Sequence, residues 1–291
     1  MSENTIPYAV CTVCPHRCVI AEGKVGRCRA RGTRNGAVVP LNYGITTSLA
    51  LDPIEKKPLS RFYPGSRILS VGSFGCNLNC PFCQNWEISM SDGTEYKRSE
   101  EGIDSNRIAP VTLTGMAEKL TNRGNIGVAF TYNEPLIGYE YVLDTAKLLK
   151  EKQMKTVLVT NGCVSEAIAN TILPYIDALN IDLKSFRSDI YRNLLGGDLE
   201  TVKNFISKAV ELCHVELTCL IVPGVNDAKE EIQEMTEWVA SLPCGSGIPL
   251  HLTRFFPRYR MTDRRSTDRE TILHLVEVAR RQLKYVYPGN M

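Results

Sequence analysis

Ile68-Leu69-Ser70-Val71 and the Gly75-Cys76-Asn77-Leu78-Asn79-Cys80-Pro81-Phe82-Cys83-Gln84-Asn85 that soon follows set a short apolar run ahead of a cysteine-rich loop. The pattern then repeats without most of the cysteines. Apolar runs recur at Ile126–Thr131, Thr156–Thr160, Ala178–Leu183, Val215–Val222 and Pro249–Phe255. Helical patterns fall between and after them, at about 112–123, 138–152, 165–173, 198–212, 228–241 and 268–283. The 138–152 segment shows the period well. Tyr141, Val142, Thr145, Leu148 and Leu149 share one face, while Lys147, Lys150 and Glu151 lie largely off it. A repeated strand–helix unit predicts an α/β protein with a parallel sheet covered by helices.

Where the unusual residues fall decides between an open sheet and a barrel. Cys76–Cys83 follow the first run, Tyr132-Asn133-Glu134-Pro135 the second and Asn161-Gly162 the third. Asp182 and Lys184 close the fourth, Pro223-Gly224 ends the fifth, and His251 to Arg254 lie on the sixth. An open sheet gathers its site at one switch point, whereas a barrel gathers the ends of many strands. The expectation is an incomplete (β/α)6 barrel of TIM-like type over 65–291, preceded by an irregular cysteine-rich segment over 1–64.

Composition limits the partners. The 34 basic and 32 acidic residues leave a net charge of +2, too balanced to predict nucleic acid or an anionic membrane. Met1 to Val10 lacks a basic stretch followed by an apolar core, so no secretory signal is expected. No apolar run approaches the roughly 18–20 residues that span a bilayer. The expected location is the cytoplasm. Eleven cysteines in such a chain predict metal rather than disulfides, because seven fall in two tight groups, Cys11–Cys28 and Cys76–Cys83. The scattered Cys163, Cys213, Cys219 and Cys244 lie in or beside apolar stretches and are expected to be packed thiols.

Cys76-x3-Cys80-x2-Cys83 puts three thiolates on one loop, close enough for three irons of a single cubane. Closing a [4Fe-4S] cluster takes four thiolates, so one iron stays open. An open metal position marks catalytic rather than structural sites. The open iron can chelate the amino and carboxylate groups of S-adenosylmethionine (SAM), and one electron into the sulfonium then releases methionine and a 5′-deoxyadenosyl radical. A zinc site or a redox dithiol is the alternative for three cysteines taken alone.

The loop resembles that of the radical SAM superfamily. Cys14-Pro15-His16-Arg17-Cys18, Pro53-Ile54-Glu55-Lys56-Lys57-Pro58-Leu59, Tyr132-Asn133-Glu134-Pro135 and Tyr285-Val286-Tyr287 are similar to the radical SAM enzymes of the AmmeMemoRadiSam system, relatives of pyruvate formate-lyase activating enzymes. The resemblance runs nearly the length of the chain. It implies that Asn133-Glu134 stands where the activating enzymes carry a Gly-Gly-Glu contact to the SAM amino group, with Glu134 as acceptor. It also implies that Thr160-Asn161-Gly162 lies near the ribose, although Val159 replaces the family's Asp. Asp182 and Lys184 match an Asp-Leu-Lys whose lysine pairs with the SAM carboxylate, and His251 matches a histidine near the adenosine. Phe82, Ile221 and Val222 would face the adenine. Each has a plainer alternative: a surface turn, a self-satisfied ion pair, a structural histidine, ordinary core packing. The resemblance further implies a low-potential electron donor such as ferredoxin or flavodoxin, and relatives that continue past Gly289-Asn290-Met291 into a short cysteine-containing tail.

Cys11-x2-Cys14-x3-Cys18-x9-Cys28 has enough ligands for a closed site, either zinc or an auxiliary [4Fe-4S] cluster. His16 is then surplus to the coordination. The functional expectation is a radical SAM enzyme acting on an unidentified substrate. The alternatives are a glycyl-radical activating enzyme, whose substrate is a partner protein, and a metal-stabilised binding or electron-transfer module. Arg254, Arg258 and Arg260 form either an anion-binding feature or an exposed basic loop.

Overall fold

The period of two along each apolar run sorts its side chains onto two faces, and the sheet has two cores as a result. The computed structural model describes residues 8–96 and 106–291. Two small antiparallel ribbons come first, β1 (Tyr8–Val10) with β2 (Val19–Ala21) and β3 (Arg31–Arg34) with β4 (Ala37–Pro40). The main sheet has eight strands: β5 (Ser48–Pro53), β6 (Arg67–Gly72), β7 (Asn125–Phe130), β8 (Lys155–Thr160), β9 (Ala178–Asp182), β10 (His214–Ile221), β11 (Leu250–Arg254) and β12 (Val286–Gly289). They lie side by side in chain order; β5 is antiparallel to β6 and every other pair is parallel. Among the described residues no ladder joins β12 to β5, so the barrel is incomplete.

The six expected runs correspond to β6 through β11. Two strands were not among them. β12 carries Pro288 and sits at an edge, where the missing N–H costs nothing. β5 belongs to the stretch expected to be irregular, yet it forms the other edge of the main sheet.

Leu69, Val71, Val128, Phe130, Leu158, Leu179, Ile181, Leu217, Cys219, Leu250 and Leu252 face outward into the main core, under the helices. Helices Pro110–Lys119, Tyr139–Glu151, Glu166–Ile172, Leu199–Leu212, Lys229–Ser241 and Arg269–Ala279 follow the parallel strands in turn. The Leu199–Leu212 helix starts on a side-chain cap, Asp198 accepting from the Thr201 N–H at 2.8 Å. Where β7 and β8 approach, only glycine fits, because a Cβ on Gly127 would stand 1.8 Å from the Lys155 carbonyl oxygen.

Ile68, Ala129, Val157 and Ala178 face the other way, into the barrel, and pack on Ile54, Leu59 and Phe62. The segment after β5 thus closes the barrel from below. Polar bonds fix it there: Asn180 Nδ2 donates to the Pro58 carbonyl at 2.8 Å, and the Ser60 and Arg61 N–H groups donate to the Glu216 carboxylate at 2.9 and 2.7 Å. Above this floor the lumen is polar, with buried Lys57 paired to Asp52 at 2.9 Å and the Tyr132 hydroxyl on the same carboxylate at 2.8 Å. No helix of the described residues is long and apolar enough to cross a membrane.

Candidate active site

The cysteine loop leaves the C-terminal end of β6 through Gly75, whose φ of +87° few other residues tolerate. Cys76 Sγ accepts from the Leu78 N–H at 3.4 Å and from Asn161 Nδ2 at 3.6 Å. The Cys83 thiol reaches Ser89 Oγ at 3.7 Å. Burial pushes the Cys76 thiol far above its ordinary range, and the charges of Glu134, Cys80 and Cys83 add to the effect. Burial raises Cys80 to about 11, eased by Lys184 and worsened by Cys83 and Asp182. Cys76 and Cys80, both pushed up by burial, would ionise only beside a compensating cation, which a bound metal would supply.

Four of the expected residues converge on this loop. Asn133 braces it from the end of β7: its Oδ1 accepts from the Ser73 N–H at 3.0 Å, and its Nδ2 donates to the Phe74 and Gly75 carbonyls at 3.2 and 3.1 Å. Glu134, also beyond β7, is buried and binds the end of β8, accepting from Thr160 Oγ1 and the Asn161 N–H, each at 2.7 Å. Leu136 N–H adds a third bond at 3.0 Å. Burial raises the Glu134 carboxyl to about 7 against the pull of these donors, and Asp182 pushes the same way. Asn161 in turn donates to Asn77 Oδ1 at 2.9 Å. From β9, Lys184 pairs with Asp182 at 2.9 Å. Burial works against the lysine charge, yet Asp182 and the Cys80 sulfur hold its pKa above the ordinary value. The self-satisfied pair is therefore present, and the lysine charge still acts on the Cys80 thiol.

His251 is not part of this group. It lies on β11, buried, with Nε2 2.6 Å from Glu216 and its ring stacked on Tyr287 at 5.2 Å. Glu216 also takes His214 at 3.0 Å and the two floor amides, and these donors overcome burial to hold its carboxyl at about 2. His251 thus has a structural partner. Phe82, Ile221 and Val222 are buried in the main core. Arg254 donates to the Thr267 carbonyl at 2.8 Å and covers the Phe256 ring, while the Arg260 N–H donates to the Pro81 carbonyl at 2.9 Å. The loop after β11 therefore touches the cysteine loop through its backbone. Cys163 and Cys219 are packed as expected, whereas Cys244 is exposed, in a left-handed turn ahead of β11.

Two residues of the site went unread in the sequence. Asn77 joins Asn161 and donates to the Cys163 carbonyl at 2.7 Å, and Asn85 donates to the Tyr132 carbonyl at 2.8 Å. Both lie in the quoted loop, between or just after the cysteines, and that position is the signal that marks them.

The donor set fits a [4Fe-4S] cluster bound by three thiolates. The sulfurs share one loop, the Leu78 N–H and Asn161 Nδ2 point at Cys76, and the charge of Lys184 favours ionisation of Cys80. Fold and loop together define a partial-barrel protein with three cysteines on the loop that follows its first parallel strand. Residues 70–239 match the model of the radical SAM superfamily, and an uncharacterized protein of Methanocaldococcus jannaschii is 37% identical over 283 residues, 97% of this chain and 81% of that one. The chain belongs to the radical SAM superfamily. The pyruvate formate-lyase-activating enzyme of Clostridium pasteurianum is 29% identical over 182 residues, 62% of this chain and 71% of that one. Streptococcus suis SuiB bound to S-adenosylmethionine is similar in fold, with a TM-score of 0.55 at 14% identity over 74% of this chain and 48% of that one. QueE from Escherichia coli has a TM-score of 0.50 at 14% identity, over 84% and 92%.

Proposed function

We propose that this chain cleaves SAM reductively and uses the resulting 5′-deoxyadenosyl radical to take hydrogen from a substrate. The observation that carries this reading is the convergence of Glu134, Asn161 and Lys184, from three different strand ends, on the loop of Cys76, Cys80 and Cys83. When bound, the cluster supplies one electron to the sulfonium and an open iron for the methionine end of SAM. The residues do the rest. Cys76, Cys80 and Cys83 hold the cluster. Asn161 and the Leu78 amide neutralise part of the charge on Cys76. Glu134 offers a buried acceptor for the SAM amino group, and Lys184 a cation for its carboxylate. The barrel floor excludes water from below.

A low-potential, one-electron donor protein such as ferredoxin or flavodoxin would supply the electron. Eleven unpaired thiols suit a reducing compartment such as the cytoplasm. A second reading, favoured by the similarity to pyruvate formate-lyase-activating enzymes, makes the substrate a backbone glycine of a partner protein. Anaerobic incubation of the reconstituted enzyme with SAM and reductant tests the first reading. Formation of 5′-deoxyadenosine supports it, and its absence from a cluster-loaded enzyme overturns both, leaving a metal-stabilised binding or electron-transfer module. Deuterium passing from a candidate partner's glycine into 5′-deoxyadenosine selects the second.

A further inference from the structure

Cys11, Cys14, Cys18 and Cys28 line a single small cavity, together with Val13, Ile20 and Ile137. Local turns bring them there. The Cys11 N–H donates to the Cys18 carbonyl at 2.9 Å, and the Arg17 N–H to the Cys14 carbonyl at 3.2 Å. Gly26 lets the chain turn back, since a Cβ there would stand 3.0 Å from Ile20 Cδ1 and 3.5 Å from Cys18 Sγ. Cys11, Cys14 and Cys28 are each less than a tenth exposed.

The sulfurs are surrounded by amide donors. The Arg27 N–H points at Cys18 Sγ at 3.5 Å, the Ala30 and Arg31 N–H groups at Cys28, and the His16 N–H at Cys14. Amide hydrogen bonds to ligand sulfur are among the means by which proteins stabilise iron–sulfur centres. A single zinc ion asks for something else, four sulfurs drawn to about 2.3 Å from one point. Among the described residues, no three Cys, His, Asp or Glu side chains converge so as to hold one ion. These four instead line one common cavity.

We propose that Cys11, Cys14, Cys18 and Cys28 bind a second [4Fe-4S] cluster, closed by four thiolates. It lies directly against the first cluster's loop. A Cβ on Gly75 would stand 2.5 Å from the Cys28 carbonyl oxygen, and His16 Nε2 is 2.9 Å from the Asn77 carbonyl oxygen. With four protein ligands it has no open iron and does not bind SAM. The proposal goes beyond the SAM chemistry above and does not depend on it.

The test is metal and sulfide analysis of the full chain, reconstituted anaerobically, with the Cys76→Ala/Cys80→Ala/Cys83→Ala variant beside the wild type. The variant is expected to hold about four irons and about four sulfides per chain, with an electron paramagnetic resonance signal after reduction that SAM leaves unchanged. The wild type is expected to hold about eight irons, falling to about four in Cys14→Ala/Cys28→Ala. About one zinc without sulfide in the triple variant, or no metal in a variant that keeps its fold, overturns the proposal. Should the triple variant not fold, a wild type saturating at about four irons overturns it equally. A wild type with about eight irons that forms no 5′-deoxyadenosine would remove the proposed catalysis and leave the second cluster standing.

Discussion

Asn161, at the end of β8, donates its side-chain amide to the side-chain carbonyl of Asn77, which lies between two cluster cysteines, at 2.9 Å. The bond is buried and continues to Cys76 Sγ and to Glu134. It makes the geometry of the cysteine loop depend on the neighbouring strand ends.

Asn161→Ala and Asn77→Ala each strand a buried polar group, at a cost of about 1–3 kcal/mol. Because the two act on one bond, their effects should not add: the double variant is expected to be more stable than the sum of single losses implies, by about 0.5–3 kcal/mol. Urea unfolding of the four proteins measures this. Additive losses would mean that the bond does not couple strand and loop.

Glu134→Gln keeps the shape of the side chain and removes its charge. The amide meets two N–H donors and a hydroxyl with one oxygen instead of two. SAM binding by calorimetry is expected to weaken about 10-fold to 100-fold, the worth of a charge-assisted hydrogen bond. Unchanged affinity would confine Glu134 to bracing Thr160 and Asn161.

Gly75→Ala adds a Cβ at φ +87° and 2.5 Å from the Cys28 carbonyl oxygen. Gly65→Ala is the control, with φ +82° and nothing within 4 Å. The control should lose only the backbone term, about 1–2 kcal/mol. Gly75→Ala should lose more and retain less iron after reconstitution. Equal unfolding midpoints would show that the contact between the two cysteine regions is unimportant.

Glu216 supplies a pH-dependent test. Its carboxyl titrates at about 2 in the folded chain against an ordinary 4.5, so its contribution to stability is complete above pH 4.5 and is lost as pH falls toward 2. Glu216→Gln has no such titration. The stability gap between wild type and variant should narrow by roughly 2 kcal/mol between about pH 5 and about pH 3. A gap independent of pH would mean that His214, His251 and the floor amides do not hold the carboxylate charged.

Much of this was legible in the residues. Period-two and period-3.6 patterns located β6 to β11 and their helices because each strand is buried on a sheet covered by helices. Glu134, Asn161 and Lys184 stand out in the sequence because they follow such runs directly. Long-range pairing was hidden. Ser48–Pro53 reads as loop until β6 is available as its partner, and Val286–Gly289 is interrupted by Pro288. Nothing local in the sequence shows that Glu216, on the adjacent strand, takes the ring nitrogen of His251.

The floor made by Ile54, Leu59 and Phe62 has a kinetic consequence. With the lower end sealed, nothing passes through the lumen from below, and access is left to the strand-end loops and the open side between β12 and β5.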